Sequence, residues 1–168
     1  LRICFRTVTT AMLQYCLLCL SNNEGCFVVT RNLQHQLEFQ SGLLSAGVPS
    51  NQIFLINSNQ SINLTSEDVS PIRVVITTTH HVEGYTLTKF RIQITSAYPV
   101  NQTVRDQVNA RLNRLSQRSP SIYIYTFLTG ILTAFQKRYI QAGKLSASLK
   151  KLAKELNLSE INISDFDI

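Results

Sequence analysis

The stretch "QVNARLNRLSQRSP", residues 107–120, decides how the rest of the chain is read. Arg111 and Arg114 stand three residues apart, so on a helix they share a face. Val108, Leu112 and Leu115 recur at intervals of four and three, an apolar stripe to bury. The spacing predicts a helix that packs Val108, Leu112 and Leu115 inward and presents two guanidinium groups, with Gln107 and Gln117 on either side. Taken alone, two such arginines are equally what a solvated surface helix carries.

The charge around this stretch is uneven. The chain has 168 residues and a net charge of +6. Residues 1–100 carry six basic and five acidic groups, whereas residues 101–168 carry ten and five. Four of those last five acids lie at or after Glu155, so the basic part runs from about Arg105 to Lys154. A field of that sign favours phosphate-bearing partners. The length fits one domain over 1–168, and 44 % hydrophobic residues argue for a packed core and against disorder.

No run reaches the ~18 apolar residues of a membrane span, and "AMLQYCLLCL" lacks a signal-peptide cleavage pattern. The chain opens on a leucine, as a piece cut from something longer would. Cys16 and Cys19 have CxxC spacing, which zinc or redox sites also use. They sit in a leucine-rich run with no second pair. Buried free thiols in an intracellular, reducing compartment (nucleus, cytoplasm or virion) are therefore expected for Cys4, Cys16, Cys19 and Cys26. The Asn-x-Ser/Thr sequons at Asn59, Asn63, Asn101, Asn157 and Asn162 are then unmodified.

Outward from residue 107, strands alternate with helices. "TAMLQYCLLCLSNNEG" reads as an apolar helix, "CFVVT" as a buried parallel strand, and "RNLQHQLEFQSGLLSAG" as a helix. That helix has Leu33, Leu37 and Leu44 on one face and Gly47 as its C-cap. "QIFLIN", "IRVVITT", "TKFRIQITSA" and "SIYIYTFL" read as further strands, and residues 57–70 as a polar loop. Two closing helices are expected at 131–141 and 144–156, with 144–168 a terminal helix and acidic tail. The pattern predicts an α/β domain with a mostly parallel central sheet flanked by helices. Ligands in such sheets gather at the carboxyl ends of strands, here Thr30 and the "TTTHHVEG" stretch, residues 77–84.

These blocks, in this order, resemble the second RecA-like lobe, the C-terminal helicase lobe, of superfamily 2 helicases and translocases. Within that superfamily the chain is most similar to the SWI/SNF-type ATPases and related viral nucleoside triphosphatases. "GCFVVTRNLQHQLEFQSGLL" resembles motif IV, a strand ending in Ser or Thr followed by a helix. "VVITTTHHVEGYTL" resembles motif V, which often reads STxxGGxGxNL in the family. Its Ser-Thr falls on Thr77 and Thr78, its last glycine on Gly84 and its leucine on Leu87. "QVNARLNRLSQ" resembles motif VI, QxxGRxxRxGQ, matched by Gln107, Arg111, Arg114 and Gln117. Motifs V and VI stand the family's usual distance apart, and the likeness covers about residues 10–155. The chain departs from the pattern at Ala110 and Ser116, which replace glycines, and at "HHVE", which replaces the glycine-rich run. The Asp after the fourth strand is missing near Ala97 and Pro99, and Val100 replaces the aromatic before Asn101.

The resemblance implies a RecA-like three-layer fold and an ATP-dependent helicase or translocase. ATP with Mg2+ would be held mainly by a first lobe. No GxxxxGK[ST] and no Asp-Glu pair after an apolar strand occurs in this chain, so alone it is expected to be inactive. Arg111 and Arg114 would be the catalytic arginines, because phosphoryl transfer needs fixed positive charge beside the γ-phosphate. Gln107, Glu83 and Gly84 would face the nucleotide. Thr30, Arg31, Thr77 and Thr78 would hold the nucleic-acid backbone, DNA favoured over RNA, with no membrane partner. His80 and His81 read as a loop pair without metal chemistry, and the lysines of 144–154 as a solvated face or a further nucleic-acid contact. The alternatives are a degenerate RecA-like lobe that binds nucleic acid or another protein without gating hydrolysis, and an unrelated α/β protein that matches motif VI by chance.

Overall fold

A computed structural model describes residues 2–57, 62–79, 81, 84–96 and 102–127. The elements in order are α1 (Arg2–Ser21), β1 (Cys26–Thr30), α2 (Leu33–Ser45), a 3-10 turn at Ser50–Gln52, β2 (Ile53–Leu55) and β3 (Ile62–Asn63). They continue as β4 (Val74–Thr78), β5 (Tyr85–Thr86), β6 (Ile92–Thr95), α3 (Gln102–Asn109) and β7 (Tyr123–Thr126). The two helices expected at 131–141 and 144–156, and the acidic tail, lie outside the described residues.

β2, β4, β1, β6 and β7 lie side by side in that order as a five-stranded sheet, parallel throughout. All five come from the runs expected to be strands. The strand order and parallel sense match the RecA-like α/β fold that the resemblance implies. β3 and β5 pair as a separate two-residue parallel ladder. They were not expected, because two-residue strands leave no periodicity to read. The register sets Thr30 opposite Thr78, and Val29 opposite both Thr77 and Thr95. It also sets Thr95 opposite Thr126, so the carboxyl edge of the sheet is a row of threonines.

β1 and β4 are buried along their whole length, as central strands of a parallel sheet must be. Alternate residues feed two cores. Cys26, Val28, Val74, Ile76, Ile92 and Ile94 pack with Met12, Cys16, Phe39 and Leu43 from α1 and α2. Phe27, Val29 and Val75 face the other way, toward Ile56, Leu64, Tyr85, Leu87, Phe90, Val108 and Leu112. Gly25 lets the chain enter β1, because a Cβ there would lie 2.5 Å from the Phe90 ring and 2.8 Å from the carbonyl of Arg73. Cys16, Cys19 and Cys26 are buried free thiols. The hydrogen bond with Cys16, and burial, push the Cys26 thiol well above its ordinary value, which makes it a poor nucleophile.

Two expectations are corrected. The face that α2 buries is His35, Gln36, Phe39 and Leu43, while Leu33, Leu37 and Leu44 are exposed. Each set is spaced for one helix face, and leucine count pointed to the wrong one. The C-cap expectation holds: Gly47 has φ +94°, its N–H donates to Leu44, and the Val48 N–H donates to Leu43. That pair of bonds is a Schellman closure.

The helix expected through residue 117 stops at Asn109. A continuing helix would use the carbonyls of Ala110, Arg111 and Leu112 for the amides four residues on. Instead the Ala110 carbonyl accepts from Nε of Arg114, the Arg111 carbonyl from the Leu87 N–H, and the Leu112 carbonyl from Nε2 of Gln117. Val108 and Leu112 remain buried, but Leu115 is fully exposed.

Candidate functional site

The segment after α3 is laid against residues 85–90, and the two are fastened almost residue by residue. Arg111 Nη1 donates to the Tyr85 carbonyl at 3.2 Å, and Arg114 Nη1 donates to Oγ1 of Thr86 at 2.9 Å. The Leu87 N–H donates to the Arg111 carbonyl at 3.1 Å. Oγ1 of Thr88 and Oγ of Ser116 share a hydrogen bond of 2.7 Å, and Gln117 Nε2 donates to the Phe90 carbonyl at 2.8 Å. The residues that resemble motif VI thus clamp the end of the stretch that resembles motif V. Gln117 and Ser116 act in this clamp as structural ties.

The two arginines sit in different environments. Arg111 is 7 % exposed, with its guanidinium carbon 4.9 Å from the centroid of the Tyr85 ring. A desolvated guanidinium over an aromatic face is worth about 2 kcal/mol. Arg114 is exposed, with its guanidinium steadied by Thr86 and by the Ala110 carbonyl at 3.3 Å. The structure therefore places the pair on one wall but turns only Arg114 to solvent. Gln107 is half-buried on α3.

Tyr85 joins this wall to the carboxyl edge of the sheet. It is 3 % exposed, and its ring meets Phe27 edge-on with centroids 6.0 Å apart. Its hydroxyl donates to the His81 carbonyl at 2.7 Å. The same carbonyl accepts from Oγ1 of Thr77 at 2.9 Å, and the His81 N–H donates to the Thr78 carbonyl at 3.2 Å. Burial pushes the Tyr85 phenol up to about 12, against the opposing pull of Thr77 and of the Arg111 charge. Gly84, just before β5, takes φ +85° with open space where a Cβ would stand. It supplies a left-handed turn that other residues adopt only with strain. Glu83 and His80 lie outside the described residues.

Of the residues expected to hold nucleic acid, Thr30, Thr77 and Thr78 are buried at the strand ends. The Thr30 hydroxyl donates to the Thr77 carbonyl at 2.9 Å and so ties β1 to β4. Arg31 is half-buried in the turn between β1 and α2. That turn is pinned by the Arg31 N–H on Nδ1 of His35 at 3.2 Å, and by the Asn32 cap, whose Oδ1 accepts the His35 N–H at 2.8 Å.

Sequence reasoning passed over His35, Gln36, Tyr85 and Gln93. His35 is fully buried; Nδ1 accepts from Arg31, so Nε2 carries the proton and donates to Oγ1 of Thr9 at 2.9 Å. Burial, and then the Arg31 charge, lower it to about 3, so it is neutral. Gln36 Nε2 donates to the carbonyls of Ile56 and Ile76, bridging the residue after β2 to the middle of β4. Gln93 Nε2 donates to Thr95 and to Asn109, which fixes the end of α3 on β6. The signal for the first two was positional: His35 stands four residues before Phe39 and eight before Leu43, and Gln36 three and seven before them, the spacings of a buried stripe.

No family model matches the chain, and no curated protein matches it. Solved structures do match. The crystal structure of the C-terminal part of Fun30 ATPase domain is similar with a TM-score of 0.62 at 13 % identity, over 83 % of this chain and 50 % of that chain. The chain shares the fold of that C-terminal part of an ATPase domain. It spans half the length of the solved chain it matches. Among the described residues no helix is long and apolar enough to cross a membrane.

Proposed function

We propose that this chain is the C-terminal lobe of an ATP-dependent helicase or translocase of the SWI/SNF type, acting on nucleic acid, with DNA favoured by the resemblance. The observation that carries the reading is the state of Arg114. Its guanidinium is exposed while Nε and Nη1 are held by Ala110 and Thr86. A cation fixed in place before the charge develops is what a transferring phosphoryl group needs across a cleft. Arg114 is then the arginine that faces ATP bound on a first lobe. Arg111, buried over Tyr85, braces the same wall and keeps Arg114 in register with β5. Gln107, Glu83 and Gly84 remain the candidates beside the nucleotide.

Among the described residues no three His, Cys, Asp or Glu side chains gather to hold a metal ion. By the resemblance, the Mg2+ of such an enzyme would belong to the first lobe, where it would neutralise phosphate charge. The nucleic-acid backbone would meet the carboxyl edge of the sheet. There the hydroxyls of Thr30 and Thr77 donate to carbonyls, and Arg31, Thr78 and backbone amides remain the candidates for phosphate.

In the full-length protein, Arg114→Ala is expected to lower nucleic-acid-stimulated ATP turnover by ~10³-fold or more. Turnover retained in both Arg114→Ala and Arg111→Ala rejects this assignment. A second reading, a degenerate lobe that binds without gating hydrolysis, draws on the burial of Arg111 and of the three threonines. It predicts nucleic-acid binding that weakens steeply with salt and no ATP turnover to lose.

A further inference from the structure

We infer that Tyr85 is a positioning residue that makes the arginine wall and the turn at the carboxyl end of β4 a single mechanical unit. The inference rests on the proposed lobe function and adds a residue to it. Tyr85 meets the wall twice, since its ring lies under the Arg111 guanidinium and its carbonyl accepts from Arg111 Nη1. It meets the sheet edge once, through a hydroxyl 2.7 Å from the His81 carbonyl. Thr77, the last residue but one of β4, donates to that same carbonyl. Phe27 of β1 holds the ring edge-on, so the side chain has one place to stand. A displacement of Arg111 is therefore passed to the His81 carbonyl, and through it to Thr77 of β4, by one ring and one hydroxyl. In the proposed reading the arginine wall faces ATP and the strand ends face nucleic acid, so Tyr85 ties response at one to occupancy at the other.

Two substitutions separate the ring from the hydroxyl. Tyr85→Phe keeps the seat of Arg111 and removes the tie to His81, whose carbonyl retains the Thr77 hydroxyl and so stays satisfied. Tyr85→Leu removes both. In the full-length protein, Tyr85→Phe is expected to lower the nucleic-acid-stimulated kcat by about tenfold, the scale of one lost hydrogen bond, with KM for ATP within about twofold. Tyr85→Leu is expected to fall as far as Arg111→Ala. A stimulated kcat unchanged in Tyr85→Phe and Tyr85→Leu, while Arg114→Ala abolishes it, overturns the role of Tyr85 and leaves the lobe function standing. If turnover is retained in both Arg114→Ala and Arg111→Ala, the lobe function fails, and hydrogen exchange decides the linkage alone. The His81 amide is then expected to exchange about tenfold faster in both Tyr85→Leu and Arg111→Ala than in the parent chain. Equal exchange in all three overturns it.

Discussion

The guanidinium of Arg111 lies 4.9 Å from the centroid of the Tyr85 ring and donates to the carbonyl of the same residue at 3.2 Å. One side chain thereby satisfies the backbone of β5 and covers its aromatic ring. Three residues on, Arg114 reaches the next residue of β5 from solvent. Two arginines that look equivalent in sequence thus have different work.

Stability should separate them. Arg111→Ala leaves a buried carbonyl without its donor and a cavity over Tyr85, which costs about 2–4 kcal/mol. Arg114→Ala removes an exposed side chain and should leave the unfolding midpoint close to the parent's. Urea unfolding of the two variants checks this, and equal losses would place Arg111 outside the core.

The end of α3 makes a second contrast. Leu112 and Leu115 would lie on one stripe if the helix continued, yet Leu112 is fully buried and Leu115 fully exposed. Leu112→Ala should cost about 2–5 kcal/mol. Leu115→Ala should cost less than about 0.5 kcal/mol. Comparable costs would mean that the helix runs on past Asn109.

Gly25→Ala is expected to destabilise by about 1–3 kcal/mol, because the new methyl has the Phe90 ring and the Arg73 carbonyl in its way. Gly47→Ala meets no atoms and pays only for its φ of +94°, about 1 kcal/mol. Thermal melts should rank the first below the second.

His35 predicts a pH dependence. Its folded value is lowered to about 3 from the ordinary 6.5, so the unfolded chain binds the extra proton and the folded chain does not. Stability is complete above about pH 6.5 and falls as the pH drops toward 3, with a slope approaching ~1.4 kcal/mol per pH unit. Between pH 6 and 5 few carboxylates titrate, so His35→Gln should flatten the unfolding free energy there. A slope unchanged by that substitution would exclude His35 as its source.

The strands and their parallel order were legible because a parallel sheet buried on both faces needs unbroken apolar runs, and "CFVVT" and "RVVITT" are such runs. α2 was legible as a helix but not in its orientation, since leucine stripes and the His35, Phe39, Leu43 stripe share one periodicity. The residues of the candidate site, Arg111, Arg114 and Gln117, stand out in the sequence by spacing, but spacing says nothing of what covers each of them.

By itself, then, the order of residues determined a five-stranded parallel α/β lobe, the place of its loops and the arginine pair, because these follow from local periodicity and turn chemistry. Only the tertiary structure decided that α3 ends at Asn109, that Arg111 is buried while Arg114 is not, and that the Thr30 and Thr77 hydroxyls are spent on carbonyls. Each of those outcomes is set by a partner far away in the chain, Leu87 for the Arg111 carbonyl, Tyr85 for its guanidinium, Thr77 for the Thr30 hydroxyl. Hydrogen bonds of that reach leave no periodic trace in the sequence.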